Sequence, residues 1–263
     1  MTKTELKIHC VEQLDRGLAY AEACFETFRV VDGEVLAFAK HMERLAQGAA
    51  QFGITLGSDE FNSIESAVLK YAETFGRDLL VRVTVTGGVA SWGLVKRSRP
   101  AIYIQCMPYE PGSDRICLAQ VEWPFPLQPK AAKFTSDYAL TLRAIQSWQL
   151  KEGESALICK SGAILSTPTA NVLILRDGQW FAPDAAQGGV LPGVICSLLI
   201  ESGLVEITTC PVSWLKDCES MLLTNSAQFV MAVSSINGRK LDPDHSMILP
   251  IRELLQMYPG VAL

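Results

Sequence analysis

The sequence predicts an α+β fold with mainly antiparallel sheets, divided into two unequal halves, and three observations carry that prediction. Four turn dipeptides, Asp32-Gly33, Ser161-Gly162, Asp177-Gly178 and Asn237-Gly238, interrupt strand-like runs. Such pairs tolerate positive φ and close tight hairpins, so the strands they join run antiparallel. Apolar residues at helical spacing recur between the hairpins. Pro108, Pro111 and Gly112 end one strand-like run and place the boundary near residue 111, giving a smaller half over 1–111 and a larger one over 112–263.

In chain order, Cys24 to Val31 should pair with Glu34 to Ala39 around the first turn. Met42, Leu45, Ala46, Ala49 and Phe52 then fall on one helical face, as do Phe61, Ile64, Ala67, Val68 and Tyr71. Both helices should cover one face of a sheet. Val81 to Thr86 alternates with period two, which predicts a half-buried strand ahead of a Gly87-Gly88 loop. Beyond the boundary, Tyr138, Leu142, Ile145 and Trp148 suggest a third helix. Val172 to Arg176 and Gln179 to Ala182 form a hairpin, and Ile195, Leu198 and Leu199 start a fourth helix ahead of Glu201-Ser202-Gly203.

Composition narrows the function classes. The 263 residues are 49% hydrophobic, enough to bury a substantial core, and the net charge is -5 without any basic stripe. A nucleic-acid partner therefore has no electrostatic support. Met1-Thr2-Lys3-Thr4-Glu5-Leu6 lacks a signal-peptide core, and no segment reaches the roughly 18 apolar residues of a membrane span, so a cytoplasmic protein is expected. Eight cysteines include no Cys-x-x-Cys pair and only His9, His41 and His245 could join them. Buried reduced thiols fit better than a metal site. No Gly-x-Gly-x-x-Gly segment follows a strand, which sets aside a dinucleotide site.

Three separated segments have chemistry that goes together: His41-Met42-Glu43-Arg44-Leu45, Ala131-Ala132-Lys133-Phe134-Thr135-Ser136-Asp137-Tyr138, and Val190-Leu191-Pro192-Gly193-Val194-Ile195. An arginine, an amine among small apolar residues and a glycine before a helix are what a phosphorylated aldehyde requires. A guanidinium binds a phosphate dianion bidentately and stays charged in a cleft. The backbone N–H groups of Val194 and Ile195 at a helix start attract the same anion, and Gly193 lets it approach. A lysine attacks an aldehyde only as the neutral amine, which removal from water favours. On residues alone Lys130 is as visible an amine as Lys133.

With these neighbours and spacings the set resembles the class IV (fold-type IV) pyridoxal-phosphate (PLP) enzymes: aminodeoxychorismate lyases, D-amino-acid transaminases and branched-chain aminotransferases. The resemblance covers about residues 10 to 240. It implies a two-domain homodimer with PLP in the cleft between domains and an amino-acid-like anionic small molecule as substrate. It also implies Lys133 as the cofactor lysine, Tyr138 beside the cofactor phenolate, and Arg44, Gly193, Val194, Ile195 and Ser226 (in Thr224-Asn225-Ser226) around the phosphate. Relatives carry a glutamate five residues before an asparagine, against the pyridine nitrogen. This chain keeps Asn171 but has Ser166 at the glutamate position.

A serine supplies a hydrogen bond without the charge, so the cofactor becomes a weaker electron sink. Elimination, which discharges a carbanion by expelling a β-substituent, tolerates that better than transamination. The expectation is therefore a lyase of the 4-amino-4-deoxychorismate type, releasing pyruvate and giving 4-aminobenzoate for folate. An aminotransferase for a D-amino or branched-chain acid ranks second, and a catalytically silent binding protein third. Relatives open the first strand with Gly-Asp-Gly where this chain has Ala21-Glu22-Ala23, and the usual arginines are missing from the loop over 87–93. Thr27 and Arg29 are accordingly the expected substrate-binding residues, Arg29 for the carboxylate, since it shares a strand face with Phe25 and Thr27.

Overall fold

The computed structural model describes residues 10–76, 78–94, 99–261 and 263; the N-terminal segment read above, with His9, lies outside them. A four-stranded antiparallel sheet is built from β2 (Ala23–Val31), β3 (Glu34–Val35), β4 (Asp78–Thr86) and β6 (Ala101–Pro108), in the order β3-β2-β4-β6. Period two decides its faces. Leu79, Val81, Val83 and Val85 are fully buried against Met42 and Leu45 of α2 (Phe38–Gln51) and Ile64 and Val68 of α3 (Ser58–Phe75). Each such side chain contributes about 1.5 to 3 kcal/mol of apolar burial. The opposite face carries Phe25, Thr27 and Arg29 of β2 beside Thr84, Arg82 and Leu80 of β4.

A short strand, β1 (Leu14–Asp15), pairs with β5 (Val89–Ala90) and is followed by α1 (Arg16–Tyr20), which ties the start of the described chain to the loop over 87–93. The first hairpin is shorter than expected. β3 stops at Val35, Ala37 takes a left-handed conformation, and Phe38 and Ala39, expected in a strand, begin α2. The helical apolar pattern that starts there overrides the strand reading.

The chain passes to a larger sheet between Pro108 and Arg115. This sheet contains β7 (Arg115–Glu122), β8 (Glu154–Lys160), β9 (Ala163–Ser166), β10 (Asn171–Arg176), β11 (Gln179–Pro183), β12 (Val205–Thr208), β13 (Ser220–Asn225), β14 (Phe229–Ile236) and β15 (Arg239–Lys240). Its order is β12-β11-β10-β13-β14-β7-β8-β9, with β15 on β14. The four turn dipeptides all close hairpins, and most pairings are antiparallel, as the turns predict. The pairs β11–β12, β14–β7 and β7–β8 are parallel, a feature no turn signal announces.

Apolar runs such as Val172–Leu175 and Met221–Leu223 are buried on both faces of this sheet. One face packs on α5 (Val194–Glu201) and α6 (Leu249–Gln256). The third expected helix is α4 (Thr135–Ile145), which ends before Trp148; that indole packs near Trp123 from the loop beyond. All eight cysteines are free and five are buried. No helix among the described residues is long and apolar enough to cross a membrane.

Candidate active site

Where the two sheets meet, a cleft of about 730 Å³ collects eight of the ten expected site residues: Arg44, Lys133, Tyr138, Ser166, Gly193, Val194, Ile195 and Ser226. Backbone contacts between the halves fix its floor. Phe25 N donates to Lys133 O at 2.9 Å, and Cys24 bridges Phe134. Gly48 of α2 permits this approach, since a Cβ there would stand 2.9 Å from Ala132 Cβ.

Arg44 sits in the second turn of α2. Its Nε and Nη2 donate to the two oxygens of Glu26, both at 2.7 Å, and Nη1 donates to Pro192 O at 2.7 Å. A guanidinium has five N–H donors, so two remain for an anion. His41 Nδ1 meets Glu26 Oε2 at 2.8 Å. Burial alone would raise the Glu26 pKa; the hydrogen bonds from Arg44 and His41 override it and hold the carboxyl at about 2. Burial pushes His41 below its ordinary value against the pull of Glu26, so the ring is neutral and donates from Nδ1.

At the α5 end, Gly193 is the N-cap, extended, with no side-chain cap. The first helical bond runs from Ser197 N to Gly193 O at 2.8 Å, which leaves the amides of Val194, Ile195 and Cys196 without helical acceptors. A Cβ on Gly193 would fall 1.9 Å from Asn171 Oδ1, so only glycine fits. Asn171 Nδ2 donates to Leu191 O at 2.8 Å and holds the loop in place. Thr224 is fully buried, lines the cleft, and its Oγ1 has no partner among the described residues. An orphan hydroxyl, free helix amides and two spare guanidinium donors facing one space fit a phosphate.

The Lys133 side chain enters this space from the loop before α4. Burial is the main cause that lowers its pKa to about 8; Glu26 opposes the shift, while Arg44 and Arg82 add to it. A substantial neutral fraction of the amine is thereby present near neutral pH. Lys130 also lines the cleft, with its pKa lowered by burial and Asp137 opposing. The geometry thus admits both amines. Tyr138, in the first turn of α4, packs edge-on against Phe25 at 5.1 Å between centroids, and burial raises its phenol pKa.

Thr27 and Arg29 are not brought to the cleft wall. The Arg29 guanidinium is held by both oxygens of Asp78 and lies 3.7 Å over the Tyr109 ring, so its charge is already engaged. Period two gave the face of Arg29 and could not give its partner.

Four further residues escaped the sequence reading: Glu26, Asn171 as a loop clamp, Thr224, and Arg82. Arg82 pairs across the sheet with Thr27, lies 3.6 Å over the Phe25 ring and donates to Thr84 Oγ1 at 3.3 Å. Among the described residues it has no carboxylate in ion-pair range. The signal was present: a lone charge in the otherwise uncharged run Leu80 to Thr86.

Comparison with known proteins agrees with this geometry. A protein of Methanocaldococcus jannaschii provisionally named branched-chain-amino-acid aminotransferase is 26% identical over 244 residues, spanning 88% of this chain and 84% of its own. The structure of 4-amino-4-deoxychorismate lyase from Pseudomonas aeruginosa superimposes with a TM-score of 0.75 at 21% identity, covering 96% of both chains. The branched-chain amino acid aminotransferase of Escherichia coli superimposes with a TM-score of 0.77 at 19% identity, covering 94% of this chain and 88% of its own. At such identities the likeness establishes the fold. The model of the amino-transferase class IV family matches residues 23–236, from the first residue of β2 to the last of β14 and so across both sheets and the whole cleft. This chain belongs to the class IV aminotransferase family.

Proposed function

We propose that the protein is a PLP-dependent aminotransferase acting on an amino-acid-like substrate. The carrying observation is the convergence in one cleft of Lys133, at a pKa of about 8, with the anion seat made by Arg44, the α5 amides and Thr224. The family description and the name of the Methanocaldococcus relative favour transfer of an amino group. When bound, PLP supplies an aldehyde and a conjugated ring that stabilises negative charge at the substrate α-carbon.

The chain's own residues divide the remaining work. Arg44, held by Glu26, would hold the phosphate with its two spare N–H donors, together with the Val194 and Ile195 amides and the Thr224 and Ser226 hydroxyls. Lys133 would hold the aldehyde of the cofactor, and its amine would serve as base and then acid for the proton at the substrate α-carbon. Arg82, near enough to Lys133 and Tyr138 to act on their charges and without a carboxylate in ion-pair range among the described residues, would receive the substrate carboxylate in place of Arg29. Tyr138 walls the space, with Phe25 packed edge-on against it.

A second reading, a lyase of the 4-amino-4-deoxychorismate type, is favoured by one observation. Ser166, buried at the end of β9, faces the cleft where the resemblance places a glutamate. The experiment is the absorbance of purified protein with added PLP, before and after borohydride, compared with Lys133→Ala. A lysine-dependent visible band is expected in the native protein alone. Addition of a single amino acid should then convert the bound cofactor to its pyridoxamine form, whereas pyruvate release without a keto-acid acceptor would select the lyase. Absence of the band at saturating cofactor would leave the silent binding protein.

A further inference from the structure

Beside the cleft lies a second cavity of about 540 Å³, and the two share Lys130, Asp137, Thr141, Ser166, Thr167 and Pro168. Its remaining walls are mostly apolar and belong to it alone: Trp123, Leu127, Leu140, Ile158 and Leu165 are not in the main cleft. The mix of apolar walls with a few convergent polar groups is the usual chemistry of small-molecule sites.

The two charged residues are the informative part. Lys130 and Asp137 stand at the junction, both half-buried, and neither side chain has a hydrogen-bonded or ion-pair partner among the described residues. Each is displaced toward its neutral form by burial and pulled back by the other. A desolvated cation and a desolvated anion that do not touch each other are matched by a ligand carrying both charges, which would restore the Coulomb and hydrogen-bond energy each has lost. An α-amino acid head has those two charges on adjacent groups. The apolar walls then select its side chain: aromatic or branched aliphatic rather than polar.

We propose that this side cavity is a second site, distinct from the cofactor seat, which takes an apolar α-amino acid with its carboxylate on Lys130, its ammonium on Asp137 and its side chain against Trp123, Leu140, Ile158 and Leu165. Occupancy would place a zwitterion next to Ser166, which also lines the main cleft. The site therefore couples the level of an apolar amino acid to the environment of the cofactor ring.

The test is isothermal titration calorimetry of PLP-loaded, borohydride-reduced protein, in which the cofactor is fixed on Lys133 and the main cleft cannot exchange it. Leucine and phenylalanine are titrated against 4-methylpentanoate, which lacks the ammonium. One saturable equivalent is expected for the amino acids, with weaker binding of the acid. Lys130→Met and Leu140→Trp, the latter filling the cavity from a wall the cofactor does not share, should each weaken binding by about tenfold or more. Asp137→Asn should bring leucine down to the level of 4-methylpentanoate. No binding up to about 10 mM, equivalent to only ~3 kcal/mol, or binding unchanged in both Lys130→Met and Leu140→Trp, would overturn the proposal. Thermal unfolding of the Lys130→Met protein, a change at a half-exposed side chain, separates loss of the site from loss of the fold.

Discussion

At the α5 end of the cleft Arg44 is held by Glu26 and by the Pro192 carbonyl, with His41 behind them, whereas at the Ser166 end the Lys130 and Asp137 side chains stand without bonded partners among the described residues. The first end is fully wired before any ligand arrives. Its geometry leaves an anion nothing to reorganise, which is the condition for tight and specific anion capture. The second end is polar and desolvated, opens into a side cavity, and has a serine where relatives are expected to carry a carboxylate. In the proposed function, cofactor binding belongs to the region that matches the family and choice of reaction to the region that departs from it.

The largest effect should come from unwiring the first end. Glu26→Ala leaves Arg44 buried with its charge uncompensated, and breaking such a pair costs about 3–5 kcal/mol. Urea denaturation of the cofactor-free protein measures it, and a loss below about 1 kcal/mol would mean that the pair is effectively solvated. The pH dependence has a definite sign. The folded pKa of Glu26 is about 2, below its ordinary 4.5, so the stabilisation is complete above 4.5 and is lost as pH falls toward 2. Glu26→Gln should flatten that part of the acid-stability curve.

The second end is altered by Ser166→Glu. A carboxylate near the ring nitrogen shifts its pKa by about 1 to 3 units, worth roughly 1.4 to 4 kcal/mol. Conversion of bound cofactor by a single amino acid should therefore speed up by about tenfold or more. If pyruvate release rose and amino transfer stayed flat, the ring-nitrogen account of this end would be wrong.

Legibility in the sequence follows the same division. Arg44, Gly193 and the start of α5 were readable because an anion seat needs residue types at fixed places on local elements, and the Asp-Gly and Asn-Gly turns fixed the hairpins for the same local reason. Glu26 was hidden because its role exists only across 18 residues, in contact with Arg44 and His41. Arg29 misled because alternation determines a face and leaves the partner open; Asp78 captured it. The parallel pairings β14–β7 and β7–β8 escaped because no turn joins those strands. The side cavity was invisible, since its walls come from five separate segments of chain.

A smaller effect tests how Lys133 depends on both ends. Its pKa of about 8 means that the neutral amine increases about tenfold per pH unit below 8 and levels off above it. The initial rate of band formation with excess PLP should rise with pH and plateau above about 8. Glu26 is the neighbour that holds the lysine charged, so Glu26→Gln should move the plateau to lower pH. A midpoint near 10.5 would place Lys133 in water and remove the main argument for it over Lys130.

The smallest expected effect has the most specific sign. Thr224 Oγ1 is buried without a partner in the cofactor-free chain, which costs stability, and Thr224→Val keeps the β-branched shape that β13 requires while removing the orphan. The cofactor-free variant should be more stable than the parent by up to about 1 kcal/mol. With PLP the sign reverses, because a hydrogen bond to the phosphate is gone: the dissociation constant should rise about fivefold, equivalent to ~1 kcal/mol. Thermal unfolding with and without PLP reads both quantities in one experiment. A purely structural threonine would destabilise the cofactor-free protein when replaced and leave the PLP-induced shift unchanged, so the crossing of the two effects separates a phosphate ligand from a packing residue.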